Sequence, residues 1–181
     1  MQHSTSQVET GTVLTLHALS VAEGILALCP LPGKEGNLAG DLAHIHDWQP
    51  GLVISMTTDA EHAAVGAPDL GQQFQAMGCR WCHLPLEDFS APGADMKNAW
   101  KETSALALQA LRGGGRVLVH CKGGCGRSGM VVLRLMIEAG ERPDKALRHL
   151  RNIRPCAVET DAQMAWAMGR RQGLPPASRS R

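Results

Sequence analysis

Nine consecutive residues carry the densest chemistry in this 181-residue chain: His120-Cys121-Lys122-Gly123-Gly124-Cys125-Gly126-Arg127-Ser128. Gly123, Gly124 and Gly126 free the backbone to curl until successive N–H groups point at one centre. A helix that follows such a loop adds the positive end of its dipole, so the whole forms a cradle for a phosphate-like anion. Arg127, six residues after Cys121, brings a planar fork that can clamp two phosphoryl oxygens. The same positive field favours the thiolate of Cys121 over the thiol. That sulfur can attack phosphorus in line and take the phosphoryl group as a phosphocysteine, and Ser128 can donate a hydrogen bond to it when it leaves. Lys122, Gly123, Gly124, Cys125, Gly126 and Arg127 are therefore the expected substrate-binding residues. His120 is expected to shape the loop through hydrogen bonds, not to act as a base. Neither the G-x-G-x-x-G spacing of a dinucleotide loop nor the Gly-Lys-Ser/Thr ending of a nucleotide-triphosphate loop is present.

The elements that must hold this loop can be read on either side of it. Arg116 to His120 is an apolar strand running straight into the loop, and from Gly129 to Glu138 the chain reads as a helix apolar nearly all round. Val13 to Leu16, Ile25 to Leu28, Leu52 to Met56 and Arg80 to Leu84 read as further strands. Asp41 stands where it could cap a short helix carrying Leu42, Ile45 and Trp48. Other helices are predicted within Pro68 to Met77, with Gly78 as stop, and over Met96 to Leu111, where apolar and small residues fall on one face. Pro143 to Leu150 and Asp161 to Gly169 complete the set, Pro143 suiting a first helical position. Strands separated by helices predict an α/β fold: a mostly parallel central sheet with helices on both faces. The loop then lies at a strand's carboxyl end, where open sheets of this kind place their ligands. One domain over residues 12–170 is expected, with flexible ends at 1–11 and 171–181.

Bulk properties narrow the class of partner. A formal net charge of +1 gives no overall pull toward nucleic acid or membrane, and with no Tyr the chain does not supply the basic footprint and stacking aromatics that nucleic-acid binding needs. No window reaches the roughly 18 apolar residues of a membrane span. Six Cys in a chain with a core of this size need no disulfide framework, so a cytoplasmic, reducing setting is the expectation. Cys121 and Cys125, four residues apart, raise the question of a disulfide between them under oxidation. Cys79, Cys82, His83, Cys121 and Cys125 do not read as a zinc site, because Cys79 and Cys82 flank strand positions that face opposite sides. No metal and no cofactor is assigned. Arg142, Lys145, Arg148, Arg151 and Arg154 form a basic cluster, read as a solvated helix face or a docking surface for an acidic partner.

The motif His-Cys-x5-Arg-Ser resembles the signature of the protein tyrosine and dual-specificity phosphatase superfamily. The stretches Gly51-Leu-Val-Ile-Ser-Met-Thr-Thr and His83-Leu-Pro-Leu-Glu-Asp-Phe-Ser-Ala-Pro92, with Gly123-Gly124, bring it nearest to the kinase-associated phosphatase group and its bacterial relatives. The likeness runs from about Gly36 to Met168. It implies hydrolysis of phosphate monoesters, foremost phosphotyrosine in a protein substrate with dual specificity possible, and a phosphate or sulfate at home in the loop. It further implies Asp88 as general acid, with Glu87 the neighbouring rival, and Gln163 as the residue positioning the hydrolytic water. Thr160 and Gln163 also have the spacing of a helix capping box. Cys125 departs from the residues usual at its position. Lys122 keeps a phosphoinositide or other polyanionic substrate open. A phospho-binding module without turnover is disfavoured, since it needs neither a thiolate nor an acid.

Overall fold

The computed structural model describes residues 11–169 of the chain. Its centre is a five-stranded sheet ordered β1-β2-β5-β3-β4. The strands are β1 (His17–Val21), β2 (Gly24–Cys29), β3 (Leu52–Ser55), β4 (Arg80–His83) and β5 (Arg116–His120). All neighbours run parallel except the hairpin of β1 with β2. The mostly parallel sheet is thus as predicted, with one correction at its edge. The first strand begins at His17, and the apolar run Val13 to Leu16 precedes it. The segments expected to be flexible, 1–11 and 171–181, fall outside the described residues apart from Gly11.

Alternation along the strands divides the core into two layers. Val117 and Val119 of β5 pack with Leu26, Leu28, Leu52 and Ile54 beneath α4 (Lys97–Arg112), α5 (Gly126–Glu138), α6 (Pro143–Ile153) and α7 (Asp161–Ala167). Leu118 faces the other way, with Ala27, Val53, Leu42, Ile45, Leu70 and Phe74, under α1 (Leu38–Trp48) and α3 (Leu70–Ala76). Continuing the alternation, His120 falls on the α1–α3 side, where its ring centroid lies 5.9 Å from that of Phe74. Cys121 falls in the other layer. The strand therefore sends the two residues of the His-Cys pair to opposite faces of the sheet.

Three local readings change. Asp41 is not a cap: Asn37 caps α1, and the buried Asp41 carboxylate accepts from the N–H groups of Leu14 and Gly33, both at 2.8 Å. A short helix α2 (Asp59–Ala64), absent from the sequence reading, follows β3 and is opened by a capping box of Thr58 and Glu61. Helix α5 starts at Gly126, three residues earlier than predicted, so Arg127 and Ser128 lie in its first turn. Of α5, Met130, Val131, Val132, Leu133, Leu135 and Met136 are buried, and truncating such a side chain to Ala typically costs about 2–5 kcal/mol.

Candidate active site

The loop between β5 and α5 is held from behind by its carbonyls. Lys122 O accepts from Leu31 N at 3.1 Å. Gly123 O and Gly124 O both accept from the Arg154 guanidinium at 3.0 Å. Cys125 O accepts from Gly129 N and Val158 N. A planar trans peptide points its N–H opposite its C=O, so four carbonyls turned outward aim the N–H groups of residues 123–126 at the loop's interior. Gly124 is required by geometry: its φ is +67°, and a Cβ there would lie 2.6 Å from Pro30 N. At Gly126 a Cβ would lie 2.8 Å from a Glu159 carboxylate oxygen and 3.0 Å from Gln163 Oε1.

Within this cradle Cys121 is buried, and its Sγ lies 3.2 Å from Ser128 Oγ. Behind it, a chain of hydrogen bonds fixes His120. Trp81 Nε1–H donates to Ser55 Oγ at 2.9 Å, and Ser55 Oγ lies 2.6 Å from His120 Nε2. His120 Nδ1 faces the Cys121 carbonyl in a long contact of 3.5 Å. A carbonyl only accepts, so Nδ1 carries the hydrogen and Nε2 accepts from the serine hydroxyl. Complete burial, then the neighbouring His62, push the His120 pKa down to about 3. A neutral imidazole held in this way is compatible with a positioning role.

Arg127 is fully buried, and the structure corrects what its fork holds. Nη1 and Nη2 donate to the two carboxylate oxygens of Glu61 at 2.8 and 2.7 Å, and Nη1 also donates to Leu86 O at 2.7 Å. Burial pushes the Glu61 carboxyl up, but the bonds from Arg127 and Thr58 outweigh it and bring its pKa down to about 2. With the end of the fork on Glu61, the guanidinium offers its side edge, Nε–H with the adjacent Nη2–H. Arg127 Nε is the one buried side-chain nitrogen or oxygen without a hydrogen-bond partner among the described residues. A buried N–H of a cation without an acceptor is costly, and an anion held by the adjacent loop would satisfy it.

Asp88 stands at this edge. Its Oδ1 is 3.4 Å from Arg127 Nη2 and accepts from Phe89 N at 3.0 Å, and its side chain is 46% exposed. Glu87 is exposed and makes no contact with Arg127 among the described residues, so Asp88 is the carboxylate brought to the cradle. Gln163 forms the capping box of α7, its Oε1 accepting from Glu159 N and Thr160 N, while Nε2 donates to Ser90 O at 3.2 Å. The capping-box reading is thus the one the structure shows, and it places the Gln163 amide beside Gly126. Lys122 is exposed beside Cys121.

Sequence reasoning missed three participants. Glu61 had a signal in the Thr58-x-x-Glu61 spacing, but nothing there points to an arginine 66 positions away. Arg154 was grouped with a solvated cluster; the structure turns it to the loop carbonyls, turns Arg151 to Ala157 O and Val158 O, and pairs Arg142 and Arg148 with Asp144. Cys156 forms a disulfide with Cys125, against the expectation that none is needed, while Cys121 is free. The Cys125 side chain is thereby committed to the outside of the loop, and only its backbone can serve a substrate. Cys79 and Cys82 pack in different layers, as the strand alternation predicts.

The arrangement matches known proteins along most of its length. Residues 49–171 fit the family "dual specificity phosphatase, catalytic domain". The chain belongs to this family. It is 29% identical to cyclin-dependent kinase inhibitor 3 of Mus musculus over 145 residues, covering 76% of this chain and 67% of that protein. Among solved structures, a kinase associated phosphatase with its catalytic-site cysteine changed to serine superposes with a TM-score of 0.76 at 24% identity, covering 86% of this chain and 93% of that one. The active form of Tk-PTP gives 0.63 at 29% identity, over 80% and 88% of the two chains. The protein is a cysteine-dependent phosphatase acting on phosphorylated substrates. No helix among the described residues is long and apolar enough to cross a membrane.

Proposed function

We propose that this phosphatase hydrolyses phosphotyrosine in protein substrates through a phosphocysteine on Cys121, with Arg127 clamping the phosphoryl group and Asp88 exchanging the proton. The carrying observation is the buried Arg127, its Nε unpartnered, in the first turn of the helix that follows the loop holding the Cys121 sulfur. Two phosphoryl oxygens on that edge and the rest on inward N–H groups leave phosphorus facing the thiolate. Attack forms the S–P bond and expels the ester oxygen, which takes its proton from Asp88. Asp88 then accepts a proton from water as it cleaves the S–P bond, with Gln163 orienting the water and Ser128 steadying the departing thiolate. Preference for an aryl ester is supported by Phe89, 59% exposed beside Asp88 in the left-handed region at φ +62°, where a bulky side chain is rare. A lipid phosphate preference finds less support, because Cys125 is in a disulfide and Lys122 is the loop's lone ammonium.

The test is a turnover panel of phosphotyrosyl peptide, phosphoseryl peptide and phosphoinositide vesicles, with Cys121→Ser as control. The expected result is highest kcat/KM on the phosphotyrosyl peptide and no turnover in Cys121→Ser, which still binds phosphate because its hydroxyl stays neutral. Activity confined to the lipids overturns the substrate assignment. A serine variant within tenfold of the parent overturns the nucleophile.

A further inference from the structure

Next to the Glu61 clamp, three side chains that phosphoryl transfer leaves unused converge. Asp59 and His62, three residues apart on α2, share a helix face, and His83 ends β4 alongside. One ligand atom from each lies within 4.8 Å of the other two. The two imidazoles are already oriented through a single residue: His83 Nε2 lies 2.7 Å from Thr57 O, and His62 Nε2 lies 2.7 Å from Thr57 Oγ1. Their rings stack with centroids 5.3 Å apart, and Trp81 also stacks on His83, at 5.0 Å. His83 must donate to the Thr57 carbonyl, which leaves its Nδ1 with an open lone pair. Histidines held in this way by outer partners are the form in which imidazoles ligate metals.

We propose that Asp59, His62 and His83 bind a divalent transition-metal ion of the zinc, cobalt or nickel class. Two imidazoles and one carboxylate form a borderline donor set suited to these ions, whereas magnesium and calcium prefer oxygen alone. Bonds of about 2.1 Å need donors closer together than the present spread, by about 1 Å. Asp59 is exposed and can swing in to supply that movement, while His62 is buried and fixed. Water completes the coordination. Glu61, the partner of Arg127, lies between Asp59 and His62 on the same short helix, so the ion pins α2 and with it the carboxylate that orients the clamp.

The probe is Co2+, titrated into the Cys121→Ser protein so that the nucleophile cannot take the metal. One saturable site per chain is expected, without the intense near-ultraviolet absorption that cobalt bound to Cys29, Cys79 or Cys82 gives. Asp59→Ala should weaken binding about tenfold and His83→Gln about a hundredfold, and Co2+ should slow amide exchange in α2. Asp59 lies on the surface, so Asp59→Ala is the deciding variant if His83→Gln disturbs the fold. Absence of saturable binding below about 1 mM, a thiolate spectrum, or affinity unchanged by Asp59→Ala overturns the proposal.

Discussion

The two halves of the active site are held in contrasting ways. The phosphate loop has its carbonyls partnered one after another by backbone N–H groups and Arg154, a disulfide to Cys156, and buried side chains at Cys121, Arg127 and Ser128. In the segment bearing Asp88, backbone-to-backbone bonds to the rest of the fold end at Leu86, whose N–H donates to Met56 O. Beyond that come a turn from Ser90 N to Glu87 O and two longer side-chain bonds, Thr160 Oγ1–H to Phe89 O at 3.4 Å and Gln163 Nε2–H to Ser90 O. Binding and nucleophilic attack need donors fixed in advance, because reorganising them costs rate. Proton delivery needs a group that comes and goes with substrate, and a lightly tied loop can provide it.

After the loss of turnover expected for Cys121→Ser, the largest effect should come from the lightly tied half. Asp88→Asn is expected to lower kcat on a phosphotyrosyl peptide roughly 10²–10⁴-fold, the usual worth of positioned proton transfer. The loss should shrink sharply on an aryl phosphate whose leaving group is much more acidic than tyrosine, and the alkaline limb of kcat/KM against pH should flatten. An equal loss on both substrates with the limb unchanged would reassign the acid, to Glu87 first and then Asp95.

The tied half should fail differently, in stability before rate. The Cys125–Cys156 bond joins positions 31 apart in sequence, and in the chain-entropy picture its loss costs about 3–4 kcal/mol. Cys156→Ser, or reduction of the parent, should lower the urea midpoint accordingly. Turnover below the transition should fall less than about tenfold, since Arg154 still holds Gly123 and Gly124. A rate loss far beyond that, in a protein still folded, would make the disulfide and not Arg154 the main support of the loop.

What could be read from sequence was what is local. Strand β5, the glycine loop and the apolar helix are contiguous, so spacing alone placed Cys121, Arg127 and Ser128, and Asp88 sits just past a readable strand. Helix α2 has six residues, too few for a hydrophobic period to register. Glu61 and Cys156 act on partners 66 and 31 positions away, and no spacing rule reaches that far. Counting cysteines bounded the need for a disulfide, not its occurrence, so that count no longer bears on compartment. Arg154 misled because charge pattern locates a helix face but not a side chain at the helix's end, where the chain turns back on the loop.

A pH experiment probes the buried support behind the loop. His120 is neutral in the fold, with a pKa near 3 against about 6.5 in the unfolded chain. Its folded value is depressed, so its contribution is fully present above pH 6.5 and declines as pH falls toward 3, where the unfolded chain takes up a proton that the native state refuses. The slope approaches about 1.4 kcal/mol per pH unit within that window. His120→Asn should remove that slope.

Glu61 works in the opposite direction on the catalytic side. With its pKa near 2, it keeps its charge throughout the same window, so the Arg127 clamp should persist while global stability falls. Glu61→Gln tests this directly. The amide retains one acceptor but turns an N–H toward the guanidinium, and about tenfold is expected off kcat/KM, about 1.4 kcal/mol. The penalty should appear on good and poor leaving groups alike, because in the proposed mechanism Arg127 holds the phosphoryl group and not the departing oxygen. That insensitivity separates it from Asp88→Asn, although both carboxylates touch the same guanidinium. A Glu61→Gln defect that grows with leaving-group pKa would mean that the clamp also sets the position of Asp88, through the Leu86 carbonyl and the 3.4 Å contact they share with Arg127. The stiff and the light halves would then be coupled through one side chain.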